Sequence, residues 1–135
     1  MKINRKKTDK NLTVLLLARD YVKAGWCQGA YAQYKDCNIK DTIALGELAP
    51  AILDQMAMDS SKVKVCMAGA MYLAVYDRSE RQFNLRNLEH TLPYFYRSTD
   101  MDDLVMRNDQ KTFTKEKAIS EFTLAIEVIG GGEVQ

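Results

Sequence analysis

The sequence predicts a mainly α protein: a compact single-domain bundle of about five helices, with room for one or two short strands. Three observations predict it. Apolar residues recur at helical spacing in several separate stretches. Capping residues, glycine and proline stand at the ends of those stretches. Strong strand and hairpin signals are absent.

Residues 1–10 carry Lys2, Arg5, Lys6, Lys7 and Lys10 and read as a flexible basic arm. The first helix is expected over 11–24, capped by Asn11, with Val14, Leu15, Ala18, Tyr21 and Val22 on one stripe. Gly25 suits its end, because glycine adopts the left-handed conformation that often follows a helix. The stretch Gly25-Trp26-Cys27-Gln28-Gly29-Ala30 then reads as an irregular turn folding back on that helix, and Cys37-Asn38 as a polar loop. Residues 40–58 should hold two helical pieces. Thr42 to Gly46 forms one and Leu48 to Met58 the other, with Pro50 in a first turn where its missing N–H does no harm.

The stretch 62–77 is expected to be the central helix, capped by Ser60 or Ser61. Cys66, Met67, Ala68, Gly69, Ala70, Met71, Leu73, Ala74 and Val75 leave it almost no polar face. Val63-Lys64-Val65 alternates, so a strand over 63–68 is the rival reading. A helix over 84–97 presents Leu85, Leu88, Leu92 and Phe95, and Pro93 should kink or shorten it. Asp100, Asp102 and Asp103 fit the start of a helix capped by Thr99. Thr114 caps the last helix, about 115–129, with Ala118, Phe122, Ala125, Ile126 and Ile129 inward. Gly130-Gly131-Gly132 should stop it, leaving 130–135 a loose tail and 11–129 the folded domain.

The bulk numbers bound the function. A chain of 135 residues, 47% of them apolar, builds a core without metals or disulfides. A net charge of +1 makes nucleic acid an unlikely partner, since no basic excess marks a phosphate-binding face. The three cysteines, Cys27, Cys37 and Cys66, are widely spaced, which argues against a disulfide framework and a zinc site and suits the cytoplasm. The longest apolar run, Val65 to Tyr76, falls short of the roughly 20 residues that span a bilayer, so no membrane role is expected. No phosphate loop or Ser-His-Asp arrangement occurs, and no cofactor is expected.

Three short motifs stand in order along the chain. Gly25-Trp26-Cys27-Gln28-Gly29-Ala30 follows the first helix, Cys66-Met67-Ala68-Gly69-Ala70 lies in the middle, and Asn108-Asp109 precedes the threonine-started last helix. This order resembles the family of small bacterial and phage proteins catalogued as DUF6197, over roughly residues 12–128. The resemblance brings no activity. It implies a phage or mobile-element setting, in the host cytoplasm, and a protein that acts by binding. A host defence system is one target such a setting suggests.

Four constellations could carry chemistry. Cys27 as nucleophile, His90 as base and Asp109 (or Asn108) as its orienter would make a cysteine-dependent hydrolase or transferase, with Gln28 donating to an oxyanion. Against this, three cysteines and one histidine arise readily by chance, and His90 could simply face water. Trp26, Gln28, Asn108 and Asp109 offer an aromatic wall and polar edges for a small-molecule or nucleotide-like ligand; alternatively Trp26 anchors its turn, Gln28 satisfies loop amides and Asn108-Asp109 forms a turn. Tyr94, Tyr96 and Arg97 have the composition of an interface with a host protein or a second copy of the chain, or of an ordinary amphipathic rim. The acidic cluster does not suit calcium, because Val105 stands where a calcium loop needs glycine. No metal is expected. Cys66 reads as a small core hydrophobe. The reading is therefore a non-enzymatic binder of a host protein or small ligand, with the cysteine enzyme and a homo-oligomeric structural protein as alternatives.

Overall fold

The structure, a computed structural model, describes residues 5–35, 37–95 and 100–134. Its seven described α-helices are α1 (Arg5–Ala24), α2 (Thr42–Gly46), α3 (Pro50–Met58), α4 (Met67–Ala74), α5 (Leu85–Thr91), α6 (Met101–Asn108) and α7 (Lys115–Val134). Five short strands accompany them: β1 (Ala32–Tyr34), β2 (Cys37–Ile39), β3 (Val63–Val65), β4 (Tyr76–Asp77) and β5 (Gln82–Phe83). The fold is mainly α, as its periodicity predicts.

The core forms where the apolar stripes meet. α1 packs on α7, α4 and α5. Its expected stripe, Val14, Leu15, Ala18, Tyr21 and Val22, is buried throughout. α7 answers with Ala118, Phe122, Ala125 and Ile129, and Phe122 meets Phe95 edge-on at 5.2 Å. α4 is central and buried on nearly every side, as its lack of a polar face requires. Three tyrosine hydroxyls fasten α3: Tyr21 donates to the Ala57 carbonyl (3.0 Å), Tyr34 to Gln55 (2.7 Å) and Tyr76 to Asp54 (2.9 Å). Among the described residues no helix is long and apolar enough to cross a membrane.

Several boundaries depart from expectation. α1 begins at Arg5, so Asn11 is a buried mid-helix residue and not a cap; a residue type favoured at caps does not by itself start a helix, and elongating an existing helix costs less than nucleating one. α7 runs through Gly130–Gly132 to Val134, because glycine weakens a helix without forbidding it. α6 is capped by Asp100, whose carboxylate accepts from the Asp103 amide at 3.1 Å; Thr99, expected in that role, lies outside the described residues. In α5 Leu88 is buried but Leu85 is exposed, and Pro93 diverts the chain into a turn of 3-10 helix over Leu92–Tyr94.

The largest departure is a three-stranded antiparallel sheet, ordered β2-β1-β3. Cys37 and Asn38 belong to it and not to a loop. The strand reading holds for 63–65, and the helix starts only at Met67. The segment after α1 adds a parallel edge: Val65 N–H donates to the Gly25 carbonyl and Cys27 N–H to the Val65 carbonyl, both at 3.0 Å. This pairing, not a left-handed turn, explains Gly25. A Cβ there would lie 2.7 Å from the Val63 carbonyl oxygen. Among the described glycines the left-handed one is Gly29, at φ 78°.

Candidate functional site

Residues far apart in sequence converge where the segment 26–29 crosses the end of α6 and the start of α4. Asn108 is the hub and is fully buried. Its Oδ1 accepts from Trp26 Nε1 (2.7 Å) and from the Met67 amide (3.0 Å). Its Nδ2 donates to the Cys27 carbonyl (3.0 Å) and to Asp109 Oδ1 (3.2 Å). A carboxamide has two acceptor sites and two donors, so all four positions of Asn108 are filled.

Neighbouring groups complete the clasp. Gln28 Nε2 donates to the backbone carbonyls of Asn108 (2.8 Å) and Gln110 (2.9 Å). Gly29 N–H donates to Asp109 Oδ1 at 3.0 Å. Half-buried Trp26 packs its ring 6.4 Å from that of Phe113. The structure thus brings together Trp26, Gln28, Asn108 and Asp109, and Trp26 Nε1, Gln28 Nε2, Asp109 Oδ1 and the whole Asn108 carboxamide are engaged within the protein.

The middle motif joins the same construction. Cys66 Sγ accepts the Gly69 amide at 3.3 Å and so caps α4. The backbone of Tyr31 crosses Gly69 so closely that a Cβ would lie 1.8 Å from the Tyr31 carbonyl oxygen. That oxygen accepts the Cys66 amide at 3.1 Å. Glycine is therefore the residue that fits there. α6 is further tied to α7 by an ion pair between Arg107 and Glu121.

Cys27 is buried beside the hub, and its Sγ donates to the Ala30 carbonyl at 3.6 Å. Burial pushes this thiol up to about 12, with smaller contributions in the same direction from Cys66 and Asp109. Burial likewise raises Cys66 to about 11. A thiol in that range is almost entirely protonated near neutrality and is a poor nucleophile. His90 sits half-buried on α5, and among the described residues no hydrogen bond joins it to Cys27. Tyr94 is half-buried in its 3-10 turn, while Tyr96 and Arg97 lie outside the described residues. Among the described residues no group of three or more His, Cys, Asp or Glu gathers in metal-binding geometry.

The sequence profile of a family of unknown function, DUF6197, matches residues 7–128, nearly the whole chain. The chain belongs to the DUF6197 family. No curated protein and no solved structure matches it. In this DUF6197 protein the residues that suggested the family are the ones that make the clasp. Sequence reasoning picked their side chains but missed their backbone partners, the Met67 and Gly29 amides and the Gln110 carbonyl. It also missed the outer face of the sheet, where Gln33, Asn38 and Lys64 align across three strands. The signal for the last was the Val63-Lys64-Val65 alternation, which puts Lys64 outward once 63–65 is a strand.

Proposed function

We propose that this protein acts by binding and not by catalysis. The observation that supports this is the closed hydrogen-bond inventory of Asn108 together with the buried thiol of Cys27, which donates to the Ala30 carbonyl. A cysteine enzyme needs a thiolate, a base in contact with it and room for substrate. Here the thiol bonds to a backbone carbonyl, and the neighbouring polar side chains bond to each other. A rigid scaffold of this kind presents its surface to a partner. Family membership is the context for the finer reading: a phage or mobile-element protein in the host cytoplasm whose target is a host protein, a defence component included, or a small ligand.

The test is alkylation of each cysteine against pH, read by peptide mass spectrometry. Exposed Cys37 should react first, while Cys27 and Cys66 should react only as the chain opens. Fast reaction of native Cys27 near neutral pH, abolished by His90→Ala, would overturn the proposal in favour of the cysteine hydrolase or transferase.

A further inference from the structure

We propose that the outer face of the three-stranded sheet is an anion site for a small molecule carrying linked phosphates. This rests on the binding reading above and names its ligand class. The register places Asn38, Gln33 and Lys64 in one row across β2, β1 and β3. Of their neighbours along the strands, Ala32, Tyr34, Ile39, Val63 and Val65 are buried and Cys37, at the end of β2, is exposed. Strand alternation therefore turns the row away from the core. A groove of about 420 Å³ opens over it, with Lys35 and Lys62 also in its walls.

Among the described residues the lining of this groove carries charge of one sign. Three lysines line it, and no carboxylate does among the described residues. Lys62 has a partner in Asp59 at 3.7 Å, an exposed pair of little strength. Lys35 and Lys64 make no ion pair among the described residues. The Lys35 ammonium lies 5.1 Å from the centre of the Tyr34 ring. Lys35 has φ 46°, as a two-residue hairpin connection between Tyr34 and Cys37 requires.

Ammonium groups and carboxamide N–H donors together suit oxygen-rich anions. Three adjacent strands set the row's width at about 10 Å, the reach of a chain of phosphates and more than one phosphate fills. A nucleic acid would need cations continuing along a track, whereas these are confined to one end of one sheet in a chain of net charge +1. Tyr34 is buried with its hydroxyl on Gln55, so it offers no open ring for stacking.

The experiment titrates the full chain at low ionic strength with inorganic tripolyphosphate and, separately, with adenosine triphosphate, by calorimetry. Amide chemical shifts of the unmodified protein map the site. Tripolyphosphate should bind with a dissociation constant at or below about 1 mM and should shift the amides of Gln33, Lys35, Asn38 and Lys64. Lys35→Gln and Lys64→Gln should each weaken it about tenfold, and Arg86→Gln, on exposed α5 surface, should not. Tighter binding of the nucleotide identifies a nucleoside phosphate, and equal binding a free oligophosphate. No binding of tripolyphosphate at about 1 mM, shifts mapping elsewhere, or equal affinity in Lys64→Gln overturns the proposal. Such a failure leaves the non-catalytic reading standing while native Cys27 stays unreactive, whereas a reactive Cys27 overturns that reading whatever the groove does.

Discussion

Replacing Asn108 with alanine should unlatch the centre of the molecule. The side chain makes four hydrogen bonds from a fully buried position. Its loss strands three groups: the Trp26 Nε1–H, the Met67 amide and the Cys27 carbonyl. Each such group costs about 1–3 kcal/mol when left without a partner. Water entering the vacated volume would recover part of that. A net loss of about 4 kcal/mol is expected, a large share of the 5–15 kcal/mol typical of a domain. The melting temperature should fall by on the order of 15 °C. Asn108→Asp sharpens the reasoning. Its protonated form can still donate to the Cys27 carbonyl, while its ionised form sets a charge against that carbonyl and Asp109. Burial and Asp109 would raise the folded-state pKa of the new carboxyl. The variant's stability relative to the parent should then be greatest below the unfolded value of about 3.9 and be lost as pH rises through the folded value. Urea titrations of all three proteins at pH 4 and pH 7 measure both effects. Asn108→Ala within about 1 kcal/mol of the parent, or Asn108→Asp relatively more stable at pH 7 than at pH 4, would refute the buried clasp.

Two further outcomes follow from the geometry. Gly69→Ala puts a Cβ 1.8 Å from the Tyr31 carbonyl oxygen, so it should cost about 3 kcal/mol or more. Gly46→Ala, with open space around it, should be neutral or slightly stabilising; melting curves of the two distinguish steric exclusion from a general loss of glycine flexibility. Burial raises Cys27 and Tyr21 to about 12 and Cys66 to about 11. The unfolded chain therefore gives up these protons first, and stability, fully present below the unfolded values near 9 to 10, should fall as pH rises toward 11–12. Chemical denaturation between pH 8 and 11 checks this, and a flat profile would contradict it.

The long helices were legible in the sequence because their stripes are long enough for the 3.6-residue period to show. The α1 stripe and most of the α7 stripe point inward as read. The sheet was hardly legible. β1, β2 and β3 are three residues each, too short for alternation to outweigh neighbouring helical pattern, and pairing partners such as Ala32 and Val65 leave no local mark. The ends of α1 and α7 were misjudged because a capping residue or a glycine biases a helix end without fixing it. At the site, Trp26, Gln28, Asn108 and Asp109 were recognisable as unusual polar and aromatic residues beside glycines. Their roles were not, since many partners stand about eighty positions apart and five of the seven hydrogen bonds have a backbone atom at one end, which every residue possesses.

The clasp also bears on what family membership can say about function. Trp26, Gln28, Gly29, Cys66, Gly69, Asn108 and Asp109 all act in one way: they lock the segment after α1, the start of α4 and the end of α6 into a single arrangement. Trp26 Nε1, the Gln28 amide nitrogen and the whole Asn108 carboxamide are engaged within the protein, and a ligand could gain their hydrogen bonds only by breaking existing ones. Residues that specify such a core identify a fold, and a fold serves more than one function. What distinguishes this protein must then lie where side chains are held in register yet have no internal partner. Among the described residues Lys64 meets that condition, with neither a hydrogen bond nor an ion pair from its side chain. Its position is fixed by β3, its flanking residues Val63 and Val65 are buried, and it lines the groove with Lys35, Gln33 and Asn38. On the reading proposed above, recognition takes place at this face of the sheet, and the clasp fixes the frame behind it.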